Sequence, residues 1–335
     1  MTDTQEHDNE AAARAGWLRQ RLAELRRLPL LPGVHLSEEI EKLQARLKIL
    51  QHEKRRKDTW TTYQIAKNRE RPRTRDYIAQ FIEGFEELKG DRLRAEDPAM
   101  VGGMGWFEGR AVTIVGHQKG RTLSEQTVHN FGMAKPEGYR KAQRLFALAE
   151  QHRLPVLTFV DTPGAYPGVA AEEGGQGRAI AETMLVMARL TVPVVVTIIG
   201  EGGSGGALAL AVGDRILMQE NATYSVISPE GCAAILWRDA AFAPQAAEAL
   251  RPTASQLLSL GVIDKVVEEP RGGAHSHPEH AARQVRLAVS EALKELDQIA
   301  PGERRRQRRD RFRRMGVWRE TGIAGVLSPL PPVGP

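Results

Sequence analysis

The spacing of apolar and polar residues predicts a helical N-terminal part followed by an α/β body. Leucines recur at helical spacing within residues 11–28. The apolar positions of residues 36–50 lie four, three, four and three residues apart, which is the spacing of a coiled-coil seam. A turn rich in proline and glycine, residues 28–33, separates the two stretches. We therefore predict a helical hairpin within an N-terminal extension, residues 1–72.

Strands and helices alternate over residues 73–300. The predicted elements are a helix (75–89), a β-hairpin (99–107 and 110–120), a helix (137–153), a strand (154–161), a helix (174–190), a strand (192–200), a short helix, two strands (215–219 and 223–228), a helix beginning at Ser228, a helix and a strand within 254–267, and a helix (276–300). Nearly continuous apolar runs such as VPVVVTIIG are typical of parallel strands that helices cover on both faces. The pattern thus predicts an α/β domain.

Two of the predicted strands end in glycine-rich turns that open helices. The turns are TPGAYPG (162–168) and GEGGSGG (200–206). Ligands of open α/β sheets bind beyond the carboxyl ends of the strands, so both turns are candidate sites. Eight glycines lie in or just beyond them: Gly164, Gly168, Gly174, Gly200, Gly202, Gly203, Gly205 and Gly206.

Composition narrows the class of protein. The chain has 335 residues, of which 41% are apolar, so a sizeable core can form. Its single cysteine, Cys232, excludes a disulfide framework and a cysteine-based zinc site within this chain. The polar, acidic start MTDTQEHDNE differs from a signal peptide, and no apolar run reaches 18 residues. We expect a cytoplasmic protein with no membrane span.

The positive charge is concentrated near the C-terminus. The formal net charge is +5, but residues 304–314 hold eight arginines and one aspartate, so the rest of the chain is slightly acidic. A basic segment of this kind can bind nucleic acid or an acidic partner. No aromatic platform accompanies it. We therefore expect residues 301–335 to be a solvated, flexible tail, with RNA binding as the alternative.

The turn at residues 200–206 fits three kinds of site. The first is a dinucleotide site, because Gly200, Gly202 and Gly205 match the pattern G-x-G-x-x-G. A βαβ crossover, however, needs a helix that crosses the sheet. The helix that follows has about seven residues and would span roughly 10 Å. We therefore regard the dinucleotide site as the weakest of the three.

The second interpretation is a serine hydrolase. Ser204, between Gly202 and Gly206, matches the nucleophile elbow G-x-S-x-G at a strand-to-helix turn. Candidate acids and bases follow in the order of the α/β-hydrolases: Asp214, Asp239, Asp264, His275, His277 and His280. Most chains of this length contain such residues, and the histidines lie in a polar segment typical of a surface loop. The hydrolase remains an alternative.

The third interpretation is a backbone oxyanion hole. Glycine lets a ligand approach the main chain closely, and the first N–H groups of a helix carry positive potential. Gly205 and Gly206 could direct such N–H groups at an oxygen on which negative charge develops. Two matched turns could hold two such oxygens. We favour this interpretation.

Several long segments of the chain resemble one family. They are RPRTRDYI (71–78), GHQKGR (116–121), NFGMAKPEGYRKA (130–142), FVDTPGAYPG (159–168), IGEGGSGGALA (199–209) and YSVISPEGCAAILW (224–237). In this order, over about residues 35–300, the chain resembles the α subunit of bacterial acetyl-CoA carboxylase carboxyltransferase. The resemblance implies a crotonase-like (ClpP/crotonase) fold of ββα repeats with an N-terminal helical extension. The arginine-rich C-terminal segment is an addition to what we expect of the shorter members of this family.

The resemblance also implies an activity and partners. It implies transfer of a carboxyl group from carboxybiotin, on biotin carboxyl carrier protein, to acetyl-CoA, giving malonyl-CoA for fatty acid biosynthesis. It further implies an α2β2 heterotetramer whose β subunit carries a four-cysteine zinc site, with the active site between α and β. ATP would be used by a separate biotin carboxylase. The residues alone do not fix the acyl-CoA, so a carboxyltransferase or decarboxylase for another thioester stays open.

Matching the motifs residue by residue assigns roles to positions of this chain. Gly205 and Gly206 would be the catalytic N–H donors to the biotin ureido oxygen. Lys119 and Arg121 could meet anionic groups, although a solvated charge is an equally good interpretation of each. The remaining residues implied to shape the two turns and bind substrate are Gly202, Gly203, Ser204, Gly164, Ala165 and Tyr166. No metal ligands are expected in this chain.

Overall fold

The structure is a computed structural model that describes residues 58–316. From Thr59 onward these residues belong to one compact unit. The predicted helical hairpin lies outside the described residues. Residues 59–72, which we grouped with the N-terminal extension, belong to the described unit.

Helices and strands alternate over most of this unit. The helices are α1 (Thr59–Ala66), α2 (Thr74–Phe81), α3 (Leu123–Val128), α4 (Pro136–His152), α5 (Val169–Glu173), α6 (Gln176–Arg189), α7 (Ser204–Leu208), α8 (Pro229–Trp237), α9 (Ala243–Leu250), α10 (Ala254–Ser259), α11 (Pro278–Asp297) and α12 (Pro301–Arg313). The strands are β1 (Glu83–Glu87), β2 (Met100–Phe107), β3 (Arg110–His117), β4 (Val156–Thr162), β5 (Val194–Gly203), β6 (Arg215–Gln219), β7 (Thr223–Ser225) and β8 (Lys265–Val267). Two short 3-10 turns span Asn130–Gly132 and Ala240–Phe242.

Within residues 58–316 the strands form one mixed, eight-stranded sheet. The order is β1-β2-β3-β4-β5-β6-β8, and β7 pairs with the end of β5. The strands β1, β2 and β3 are antiparallel, and every pairing from β3 onward is parallel. The parallel part places the carboxyl ends of β3, β4 and β5 at the same edge.

The central strands are buried on both faces, as their apolar runs predict. Val194 and Val196 face a core formed with α4 and α6, whereas Val195 faces a core formed with α2 and α11. Successive side chains of a strand point to opposite faces, so a continuous valine run fills both layers at once. The predicted α/β layer structure with buried central strands is confirmed, and the sheet that contains them is mixed.

The helix predicted over residues 75–89 is wrong in its second half. It ends at Phe81, and Glu83–Glu87 forms β1 instead. The partner strand explains the difference, because β2 is rich in glycine. A Cβ atom on Gly103 would lie 2.1 Å from the carbonyl oxygen of Glu86, so the missing side chain lets β1 pair closely. This tertiary pairing overrides the local helical pattern.

The prediction of a flexible tail is wrong for residues 301–313. They form α12, and its Arg308 is 1% exposed. The Arg308 guanidinium donates to the carbonyl oxygens of Leu190 and Val192 and to the Asp214 carboxylate. Long side chains at helical spacing thus dock the helix at the amino end of β5, opposite the glycine-rich turns. RNA binding by this segment stays a prediction.

Candidate active site

The two glycine-rich turns meet at the carboxyl ends of β4 and β5. Thr162 and Gly202 are register partners there. A Cβ atom on Gly203 would lie 2.0 Å from the Pro163 carbonyl oxygen. A Cβ atom on Gly206 would lie 2.5 Å from the Gly164 carbonyl carbon. Main chain therefore packs against main chain, which only glycine allows at these two positions.

Two other glycines are not crowded by neighbouring main chain. A Cβ atom on Gly205 would find its nearest neighbour, the Ile180 side chain, at 3.8 Å. A Cβ atom on Gly164 would meet nothing within 4 Å. Packing does not require glycine at either position, although the φ of +158° at Gly164 lies at the edge of the region that favours glycine. The space above both residues suits the atoms of a ligand that approaches the main chain.

The main-chain amides of Gly205 and Gly206 lie in the first turn of α7, which begins at Ser204. Amides in the first turn of a helix have no acceptor within that helix. Gly205 is half-buried and Gly206 is buried, so water competes weakly for these donors. The turn is therefore prepared to donate hydrogen bonds to an anionic oxygen.

Ser204 is exposed and adopts a left-handed conformation, with φ of +53°. The aspartates that follow it are engaged elsewhere. Asp214 pairs with Arg308, the Asp239 carboxylate accepts the amide N–H of Ala241, and Asp264 accepts the amide N–H of Ile216 and pairs with Arg311. These contacts do not supply the acid–histidine pair that a serine nucleophile needs.

The geometry also argues against a dinucleotide turn. Strand β5 continues through Gly203, so the first half of the pattern lies in a strand. A Cβ atom on Gly200 would lie 2.4 Å from Asp161 Oδ1, which gives this glycine a packing role. The Glu220 carboxylate, at the spacing of a ribose ligand, accepts the amide N–H of Glu269. Helix α7 has five residues and cannot cross the sheet.

A compact cluster of buried charges lies beneath the β5 end of the turn. Asp161, at the end of β4, is 1% exposed and pairs with Arg73 and Lys119 at 2.7 Å and 2.8 Å. Lys119 also contacts Glu201 at 2.6 Å. Burial opposes ionisation of Asp161, but Lys119 and Arg73 hold the pKa of its carboxyl well below the ordinary value. The four groups balance in charge.

A second buried arginine supports the same strand. The Arg71 guanidinium donates two hydrogen bonds, of 3.2 Å and 2.9 Å, to the carbonyl oxygen of Ile199. It also pairs at 2.7 Å with Glu269, and both side chains are fully buried. Bidentate contacts of this kind fix geometry as well as charge. The RPR segment therefore stabilises the end of β5 in two ways. Arg71 contacts the strand directly, and Arg73 acts through Asp161.

His117, the last residue of β3, is fully buried near the carbonyl groups of Phe159 and Gly206. Neither ring nitrogen has a hydrogen bond of good geometry among the described residues. Burial lowers the pKa of the imidazole to about 4, a shift that Asp161 opposes and Lys119 reinforces. The ring is therefore neutral near pH 7.

The remaining site predictions fall in different places. Ala165 and Tyr166 lie in the β4 turn, where the Tyr166 amide donates to the carbonyl oxygen of Ala134. Arg121 instead lies on the surface, where its half-exposed side chain pairs with Asp76. The contacts therefore bring the glycines, Ala165, Tyr166 and Lys119 together, whereas a role for Arg121 in substrate binding stays a prediction.

Sequence reasoning missed the charged residues beneath the turns. Their signal is present in hindsight, because FVDTPG and RPR place charges next to buried apolar runs, where an unpaired charge would be costly. The pattern does not name the partner of each charge. The residues missed in this way are Arg71, Arg73, His117, Asp161, Glu201 and Glu269.

Residues 58–316 lack two features, a cluster of metal-ligating side chains and a membrane-spanning helix. No group of three or more His, Cys, Asp or Glu side chains in this range is arranged to hold a metal ion. None of the helices in the same range has the length and apolar character needed to cross a bilayer.

Solved structures of similar fold include a transcarboxylase and a subunit of an acyl-CoA carboxylase. The match to the transcarboxylase 12S structure with methylmalonyl-coenzyme A and methylmalonic acid covers 78% of this chain and 45% of the transcarboxylase chain, with a TM-score of 0.56 and 19% identity. The match to the β subunit of geranyl-CoA carboxylase from P. aeruginosa covers 69% of this chain and 41% of that subunit, with a TM-score of 0.53 and 19% identity. The fold is thus an α/β fold with a mixed sheet that is structurally similar to carboxyltransferase (crotonase-like) domains.

Sequence comparison identifies the family within this class. The family model described as acetyl co-enzyme A carboxylase carboxyltransferase-like matches residues 9–316. The acetyl-coenzyme A carboxylase carboxyl transferase subunits alpha of Bordetella avium and Thermus thermophilus are 51% and 52% identical over 304 residues, which is 90% of this chain and 95% and 96% of theirs. The chain belongs to this family, the carboxyltransferase α subunits of acetyl-CoA carboxylase, as its motifs implied.

Proposed function

We propose that this chain supplies the carboxybiotin half of the carboxyltransferase site and acts through main-chain N–H groups. The observation that carries the proposal is the pair of amides at Gly205 and Gly206, in the first turn of α7, together with the uncrowded positions of Gly205 and Gly164. Glycine at 205 and 164 leaves room for a flat ring to approach the main chain. The residues present therefore fit a biotin ureido group.

The chemistry follows from where charge develops. Carboxybiotin, when bound, supplies carbon dioxide and a basic ureido nitrogen that can remove a proton from the acetyl methyl group. The amides of Gly205 and Gly206 donate hydrogen bonds to the oxygen that becomes negative. A preorganised donor of this kind is typically worth roughly 10²–10³ in kcat. No side-chain nucleophile or base from this chain is needed.

We propose a β subunit as the partner that completes the site, in an α2β2 assembly with the zinc on the β side. An apolar surface on α8 supports this. Strand β7 pairs with Glu201–Gly203 and leads into α8, on which Ile235, Leu236 and Trp237 are 71%, 63% and 44% exposed. Exposed apolar patches of this kind mark interaction sites.

The wider assembly is also proposed. The carboxyl donor would arrive on biotin carboxyl carrier protein, after an ATP-dependent biotin carboxylase has loaded it. The substrate would be acetyl-CoA and the product malonyl-CoA, and the reaction would take place in the cytoplasm. We further propose that the mixed-sheet body is a crotonase-like fold built of ββα repeats.

The test is the reverse reaction, malonyl-CoA-dependent carboxylation of a soluble biotin derivative. It is run with this chain, with the β subunit, and with both, and methylmalonyl-CoA is offered as the competing substrate. The proposal expects activity only with both chains and a preference for malonyl-CoA. Activity of this chain alone would contradict the shared site. A preference for methylmalonyl-CoA would mean that the acceptor is propionyl-CoA rather than acetyl-CoA.

A further inference from the structure

We propose that Lys119 and Glu201, joined through Asp161, are positioning residues that set the place of the glycine-rich turn, and that Lys119 does not bind substrate. This inference rests on the proposed function, because the turn is where the N–H donors lie. It differs from both roles that the sequence suggested for Lys119, which were contact with an anionic group and a solvated charge.

Lys119 has little capacity left for a substrate anion. Its side chain is 8% exposed. Its ammonium contacts Asp161 Oδ1 at 2.8 Å and Glu201 Oε2 at 2.6 Å. An ammonium has three donors, and two of them already reach carboxylates. A third anion would need access to a site that the protein has closed.

The same two carboxylates hold the turn. Asp161 Oδ1 accepts the amide N–H of Glu201 at 3.0 Å, so the aspartate fixes main chain as well as side chain. The Glu201 carboxylate returns to Lys119. Both ends of Glu201 are thereby fixed, and the segment that follows it directly leads to Gly205 and Gly206.

The cluster ties three neighbouring strands together. Lys119 follows β3, Asp161 lies in β4, and Glu201 lies in β5. Two glycines make the space for it. A Cβ atom on Gly132 would lie 2.6 Å from Lys119 Cγ, and one on Gly200 would lie 2.4 Å from Asp161 Oδ1. The glycines thus keep clear the volume that the ion pairs occupy.

Positioning predicts a specific kinetic result. A misplacement of about 1 Å can cost roughly 10²-fold in rate without touching the substrate. Loss of an interaction that substrate and transition state share raises KM at constant kcat, whereas loss of transition-state geometry lowers kcat. The two roles of Lys119 can therefore be separated.

The experiment uses the complex of this chain with its β subunit in the malonyl-CoA-dependent assay. The variants are Lys119→Met, Glu201→Ala, Glu201→Gln and the double variant Lys119→Met/Glu201→Ala. The control is Lys265→Met, which removes another lysine that is paired with a glutamate, Glu291, on the surface of β8. Thermal unfolding of each variant is recorded beside kcat and the KM of both substrates.

The proposal expects Lys119→Met and Glu201→Ala each to lower kcat by about tenfold or more, with each KM within about twofold of wild type. Glu201→Gln keeps an oxygen acceptor and should retain most of the activity. The double variant should be no worse than the poorer single variant, because both remove one shared interaction. Lys265→Met should match wild type.

Three results would overturn the proposal. They are a raised KM at unchanged kcat in Lys119→Met, additive losses in the double variant, and wild-type kcat in Glu201→Ala. If Lys119→Met fails to fold, the comparison of Glu201→Ala with Glu201→Gln decides alone. A wild-type complex without activity would instead refute the proposed function itself, before any variant is compared.

Discussion

Gly206 and Ala165 lie in direct main-chain contact across the two turns, since a Cβ atom on Gly206 would stand 2.5 Å from the Ala165 nitrogen. No side chain separates the end of β4 from the start of α7. The relative position of the two turns is therefore set by main chain, and it changes only if one turn moves.

Gly206→Ala should separate the turns. The new methyl group meets rigid main chain, so we expect a loss of stability of about 1–3 kcal/mol and a fall in kcat of roughly 10²-fold or more. Urea unfolding and the carboxylation assay measure the two effects.

Gly205→Ala is the matched variant. Its methyl group has 3.8 Å to the nearest protein atom, so stability should stay within about 0.5 kcal/mol of wild type. Any loss of activity in this variant then reports contact with substrate. Equal destabilisation by the two substitutions would contradict the packing described for Gly206.

Ser204→Gly should stabilise the chain. A left-handed conformation costs an L-residue roughly 1–2 kcal/mol, and part of the gain is offset by the greater freedom of glycine in the unfolded chain. We expect a rise of up to about 1 kcal/mol in the free energy of unfolding. Ser204→Ala keeps the strain and should change little. A less stable Ser204→Gly would show that the conformation is not strained.

Arg308→Met should destabilise the chain strongly. It leaves the buried Asp214 carboxylate without its cation, and removal of one partner from a buried pair costs about 3–5 kcal/mol. Arg305→Met, at an exposed position of the same helix, should change stability by less than about 0.5 kcal/mol. Urea unfolding measures both. Equal effects of the two substitutions would mean that α12 does not dock through Arg308.

His117 should make folding pH-dependent below neutrality. Its pKa is about 4 in the folded chain and 6.5 when unperturbed, so between these values the unfolded chain binds more protons. Stability therefore falls as the pH decreases from about 6.5 and levels off below about 4, by at most roughly 3.4 kcal/mol.

The variant His117→Gln removes this contribution. The slope of unfolding free energy against pH should be smaller in His117→Gln than in wild type between pH 4 and 6.5. His280→Gln, at an exposed position, is the control for the effect that loss of a solvent-exposed imidazole has on this slope. Identical slopes in wild type and His117→Gln would contradict the burial of a neutral ring.

The sequence was informative where one local pattern decides the structure. The valine run of β5 must be buried on both faces, and Ser228 with Pro229 marks the start of α8, where the Ser228 hydroxyl accepts the Gly231 amide. The glycines of the two turns likewise form a local pattern, which indicates a close approach of main chain.

Partners distant along the chain could not be predicted. Arg308 and Asp214 are 94 residues apart, and Arg73 and Asp161 are 88 apart. The arginines of 304–314 therefore looked like a solvated tail, although two of them are buried. A charge that is paired only in the folded chain has the same local pattern as a solvated one.

The most direct test of the central claim is the malonyl-CoA-dependent carboxylation of a soluble biotin derivative by Ser204→Ala in complex with the β subunit. If the site works through main-chain N–H groups, kcat/KM should stay within about threefold of wild type. A loss of roughly 10³-fold or more on removing one hydroxyl, with the fold intact, would make Ser204 a nucleophile and contradict the account.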